Sequence, residues 1–190
     1  MSTTSNEALR CLGAEEKSRA SDYLASTRDA LLKAVDELSF EQWRFKPTAD
    51  RWSIGEIVEH LAIIEARVHA LIGRMSEAPA AEPGRKDSEI DEFILAAASK
   101  VTKRFDAPPE LQPTGQHSPE HFLRQFLDGR AHTIRLLEAA PFLRGRVLPH
   151  PVFGPLDGYQ RILATAAHTA RHTAQLLEVK AHPDFPKQAT

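Results

Sequence analysis

The 190-residue chain is 42% apolar and 26% charged, with a net charge of −2. That balance suits one globular domain with a single sizeable core, and it lacks the basic field that nucleic-acid binding draws on. One cysteine, Cys11, excludes an internal disulfide framework or thiolate metal cluster, and no apolar run approaches the roughly 20 residues that span a bilayer. The N-terminal Met-Ser-Thr-Thr-Ser-Asn-Glu lacks the basic-then-apolar order of a signal peptide, so a cytoplasmic protein without a nucleic-acid or membrane partner is expected.

Residues 1 to about 14 read as a polar lead-in. From Glu15 to Leu38 there is no Pro or Gly, and Leu24, Leu31, Val35 and Leu38 recur at helical spacing. Ser39 to Arg51 reads as a connection whose aromatics, Trp43 and Phe45, pack back over the core. Ser53 with Glu56 forms a capping box, and Trp52 with Ile57 a hydrophobic staple, at the start of a second helix. Its stripe runs through Ile57, Leu61, Ile64, Val68 and Leu71 to about Met75, and His60 falls within it. A linker from Ser76 to Asp87 leads to a shorter helix from Ser88 to about Arg104, followed by a proline-rich loop from Ala107 to Ser118. Ser118 and Pro119 open the next helix, which ends at Pro141. The segment from Pro141 to Gly158 reads as a loop, and the last helix runs from Asp157 or Gly158 to Lys180. Four long helices, one shorter helix and no alternating strand define an all-α domain over 1–190, with its core at about 15–182. A four-helix bundle with at least one crossover connection is expected.

The last helix carries His168 and His172, four residues apart and so on one face. Spacing alone decides little, because nine histidines in this length give about 0.4 such pairs by chance. His117 and His121 share the spacing, but Ser118 caps between them, so no shared helical face is expected there. The strip of His168 and His172 also holds Arg161, Thr165 and Gln175. It reads either as a solvent-facing polar stripe or as a polar pocket within the bundle. His60 adds weight to the pocket, since imidazoles buried without partners cost free energy. If His60, His168 and His172 converge, they make a neutral three-nitrogen site suited to zinc, nickel, iron, manganese or cobalt. Open positions would take water or a substrate thiol. Glu56, one turn before His60, reads either as an auxiliary base or as a helix cap.

Two stretches resemble a known family. They are Leu38-Ser39-Phe40-Glu41-Gln42-Trp43 through Arg51-Trp52-Ser53-Ile54-Gly55-Glu56-Ile57-Val58-Glu59-His60-Leu61, and Ala167-His168-Thr169-Ala170-Arg171-His172-Thr173-Ala174-Gln175. Together with Pro151-Val152-Phe153-Gly154-Pro155-Leu156, they resemble the DinB-like (DinB/YfiT) superfamily over roughly 17–182. The resemblance implies an up-down-down-up four-helix bundle, commonly a homodimer, with a divalent metal on His60, His168 and His172. It also implies metal-dependent chemistry on a small-molecule substrate. Transfer to a low-molecular-weight thiol is expected first, with zinc or nickel as the ion; Arg161 reads first as a surface salt bridge and second as an anchor for an acidic group of the co-substrate, and Gln175 is a further auxiliary. Metal-dependent hydrolysis is the alternative. A non-catalytic binding protein is the third reading, in which His69 or His132 would close the coordination sphere.

Overall fold

The computed structural model describes residues 10–100, 107–140 and 142–187. Helix starts sit where side chains satisfy the unpaired amides of a first turn. Ser53 and Glu56 form the expected reciprocal box at α3 (Ile54–Gly73), and Asp157 and Gln160 form another at α6 (Gly158–Lys180). Ser118 caps α5 (Pro119–Ala139), with Pro119 in the first turn. With α1 (Ala14–Val35) these are the four long helices, and α4 (Asp87–Lys100) is the shorter one.

The structure departs from the sequence reading in three places. The stretch read as a plain connection holds a one-turn helix, α2 (Phe40–Arg44), started by a Ser39–Gln42 capping box. The loop before the last helix contains an antiparallel pair, β1 (Leu148–His150) and β2 (Gly154–Leu156). Gly154 takes a φ of +71° in that hairpin, a conformation that costs glycine no steric strain. α1 ends at Val35 rather than Leu38. Residues 101–104 of the expected fourth helix lie outside the described residues.

Contacts between helix ends give the directions. Tyr159 donates to the Glu16 carbonyl (3.0 Å) and Lys180 to that of Ala34 (2.7 Å), so α6 runs parallel to α1. Lys17 at the start of α1 reaches the Glu138 carbonyl at the end of α5 (2.8 Å), so those two are antiparallel. Gly55 faces Pro119 where α3 and α5 both begin, and Arg51 pairs with Glu178 (3.3 Å) where α6 ends. The order is therefore up-down-down-up. Parallel α3 and α5 require the long connection that contains α4, which packs on α6.

The core divides into two apolar clusters. One holds Leu31, Trp43, Ile57, Phe126 and Leu176; the other holds Leu24, Val68, Leu137, Tyr159 and Ile162. Between them every long helix contributes a polar group: Thr27, Glu65, Arg130 with Thr133, and Thr169, all buried. Arg130 donates to Glu65 (2.7 Å), the Leu24 carbonyl (2.9 Å), Thr27 (2.9 Å) and Thr169 (2.7 Å). Thr133 donates to the other Glu65 oxygen at 2.6 Å. Gly129 permits this packing, because a Cβ there would sit 2.8 Å from the Glu65 Cβ.

Removing one partner leaves the other charge buried and unpaired. Arg130→Met is expected to lower the free energy of unfolding by about 3–5 kcal/mol, and adding Glu65→Leu to recover much of the loss. Urea titration of the two single variants and the double variant measures the coupling; simple additivity would contradict it.

Candidate metal centre

α3 is buried all round at its centre, with every residue from Ile57 to Ala62 inside. That places His60 against α6, where His168 and His172 stand one turn apart. The three offer nitrogens within 4.8 Å of one another, the arrangement a metal ion requires. His60 and His172 are 3% and 2% exposed, and His168 is partly exposed. Arg161, Thr165 and His172 of the polar strip are buried, so these residues face the interior of the bundle rather than solvent.

Neighbours fix the ring orientations. His60 Nδ1 lies 2.7 Å from the Leu111 carbonyl, which can only accept, so the proton sits on Nδ1 and Nε2 is left as an acceptor. His172 Nδ1 lies 2.9 Å from the Gln175 side-chain oxygen, which frees its Nε2 likewise. The Nε2 atoms of His60 and His168 face each other at 2.9 Å, room for one shared proton. His172 Nε2 is buried with no hydrogen-bond partner. A lone pair orphaned in this way fits a ligand waiting for a cation.

Burial favours the neutral imidazoles. It pushes His60 below the usual histidine range and His168 well below it, with His172 and His60 adding to the effect at His168. Burial and then His60 take His172 down to about 3. Neutral rings at neutral pH are the protonation state that ligation needs.

Other residues frame the group. Trp52 lies over His60 (ring centroids 4.9 Å) and stacks near His172 (6.2 Å). Glu59, 2% exposed, accepts from Thr114 N (2.6 Å), Thr114 Oγ1 (2.8 Å) and Gly115 N (2.9 Å). It thereby clamps onto α3 the loop whose Leu111 carbonyl orients His60.

Of the expected auxiliaries, Gln175 orients His172, and Arg161 donates to the Leu148 and Pro149 carbonyls. Glu56 is occupied by the Ser53 amide (2.8 Å) and Lys46 (2.7 Å). His69 and His132 meet edge to face (ring centroids 4.4 Å), His69 beside Thr133, and neither joins the three histidines. His117 lies before the Ser118 cap and outside α5, as expected, so the pair shares no helical face, although the two rings approach to 4.4 Å. Sequence reasoning did not single out Glu59, although an acid beside His60 and flanked by Ile57, Val58, Leu61 and Ala62 was its signal. Nothing local marked the Leu111 carbonyl or Trp52 as neighbours of the histidines.

Comparison with known proteins adds three findings. The family model for the DinB superfamily matches residues 23–176. YuaE, an uncharacterised protein of Bacillus subtilis (strain 168), is 32% identical over 148 residues, which cover 75% of this chain and 86% of YuaE. Among solved structures, YfiT from Bacillus subtilis is described as a probable metal-dependent hydrolase with an unusual four-helix bundle topology. It aligns with a TM-score of 0.61 at 18% identity, over 92% of this chain and 91% of its own, a likeness of fold.

Glu59→Gln places an amide where three donors converge and should loosen the loop. Affinity for zinc, read by competition with a chromophoric chelator, is expected to fall about 10–100-fold; an unchanged affinity would rule the clamp out. The depressed imidazoles also give a signed pH effect in metal-free protein. Their contribution to stability is complete above the unfolded value of about 6.5 and is lost as pH falls toward the folded values. Thermal melting between pH 7 and pH 4 should therefore fall more steeply for the wild type than for His172→Phe.

Proposed function

The chain belongs to the DinB superfamily, and on that premise we propose that it is a metal-dependent hydrolase with His60, His168 and His172 as ligands of a divalent ion. The observation that carries this reading is the buried, partnerless Nε2 of His172 beside two further imidazole nitrogens. Among the described residues no cysteine, carboxylate or fourth histidine completes the group. Three protein ligands with a position left over is the pattern of catalytic rather than structural sites. A divalent ion bound there supplies Lewis acidity that acidifies a water or a thiol.

The protein's own contribution is positional. The Leu111 carbonyl and Gln175 hold two Nδ1 protons, which keeps the corresponding Nε2 lone pairs turned inward. Burial keeps the rings unprotonated, and Trp52 covers one side of them with an apolar face. His168, the partly exposed member of the three, gives the proposed side of approach for a substrate. Hydrolysis is placed ahead of thiol S-transfer because the structural neighbour's description names it and water requires no second binding surface. Thiol transfer uses the same site and is separated from hydrolysis by assay. Zinc and nickel are the first ions to try, since both suit neutral imidazole donors.

Tag-free protein is expected to copurify with, or take up, one divalent ion per chain, and His172→Ala to lose it, by elemental analysis. Cleavage of activated esters and amides by the loaded protein should proceed in buffer alone and disappear in His172→Ala. Turnover only when a low-molecular-weight thiol is added would replace hydrolysis with S-transfer, and failure to bind any ion would refute both.

A further inference from the structure

The Leu111 carbonyl and Gln175 hold the edges of the His60 and His172 rings. The faces of those rings are covered differently, by Trp52. Its ring centroid lies 4.9 Å from that of His60, tilted by 49°, and 6.2 Å from that of His172, tilted by only 24°. Among the described residues no other aromatic ring outside the three histidines meets either one. Position in the chain explains the reach. Trp52 stands before the Ser53 cap, where a staple side chain folds back over the first turn of α3, toward Ile57. His60 follows Ile57 by one turn, so a ring as long as indole extends over it and on to α6.

Burial shows which layer is the outer one. His60 and His172 are inside, whereas Trp52 is half-buried. The other tryptophan of the chain, Trp43, is 5% exposed and sits within the cluster of Leu31, Ile57 and Phe126; Trp52 packs against that cluster from its margin. The indole N–H of Trp52 is not buried and makes no hydrogen bond among the described residues, so apolar and ring contacts alone hold it in place. The loop of Leu111, by contrast, is fastened to α3 by the three bonds to Glu59. One of the rings that Trp52 covers carries the buried, partnerless His172 Nε2. An indole face offers that nitrogen no proton and an ion no ligand. What it does offer is an apolar layer, and such a layer controls solvent access to a metal site.

We propose that Trp52 is the solvent shield of the centre, keeping water from the His60 and His172 rings and slowing the release of an ion held there. The slow release rests on the metal-centre reading, whereas the shielding belongs to the metal-free chain as well.

Labelling of metal-free protein with diethyl pyrocarbonate, which acylates accessible neutral imidazoles, tests the shield peptide by peptide in a mass spectrometer. Tryptic cleavage after Arg171 separates His168 from His172, and His60, His69 and His132 each fall in a peptide of their own. In the wild type, His60 and His172 should label more slowly than the exposed His132. Trp52→Leu keeps an apolar residue at the start of α3 but no ring that spans two imidazoles. It should speed labelling of His172 about fivefold or more, with His69 and His132 unchanged, and Trp52→Phe should fall between. Zinc-loaded Trp52→Leu should also lose its ion to a chelator about tenfold faster than the wild type. Unchanged labelling of His172, or a rise shared by His69, overturns the shield while leaving the three ligands standing. Faster labelling without faster zinc release overturns the retention. If the wild type binds no zinc, the metal reading falls and the retention with it, and the labelling still judges the shield. Should circular dichroism show Trp52→Leu unfolded, the same comparison with Trp52→Phe decides.

Discussion

The ion pair between Arg130 and Glu65 is the constraint from which the rest of the structure follows. From its place on α5, one guanidinium reaches a carboxylate on α3, a carbonyl and a hydroxyl on α1, and a hydroxyl on α6. A buried charge of this kind contributes little net stability against an apolar replacement, but it tolerates few alternative packings. Slipping any helix by one turn would strand a donor or the carboxylate in the interior. The belt therefore sets the axial register of all four helices, and that register brings His60 level with His168 and His172. Apolar clusters on either side are more permissive, since leucine and isoleucine pack in many ways.

Much of the fold was legible because its signals are local. Ser53 with Glu56, Ser118 with Pro119, and Asp157 before the last helix mark helix starts through side chains that reach their own first turns. Apolar spacing gave the buried faces for the same reason. The short helix at Phe40–Arg44 obeys the same rule, and its Ser39–Gln42 box was readable but overlooked beside two loop-like aromatics. The strand pair escaped because three-residue strands carry too few alternations to register.

The site was legible in part, along the same division. The histidines could be found by face and stripe, but the groups that orient them could not, because backbone carbonyls leave no trace in a sequence. Leu111 acts through its carbonyl, and its side chain is incidental to that role. Glu59 acts across 55 positions on Thr114, a pairing that only the folded loop reveals. Arg161 was noticed as a polar member of the strip, yet only the fold shows it buried and donating to the Leu148 and Pro149 carbonyls.

The separation of the ligands along the chain has a consequence for assembly. His60 and His168 stand 108 positions apart, so α6 is synthesised well after α3. Closing so long a loop is costly in chain entropy, and α6 also carries the contacts to α1. No partly made chain can present the three nitrogens together, so an ion cannot be captured on a nascent bundle and trap it in a wrong register. At the proposed site, metal uptake would report that α6 has docked on α3, and the ion's binding energy would weight that docked fold alone.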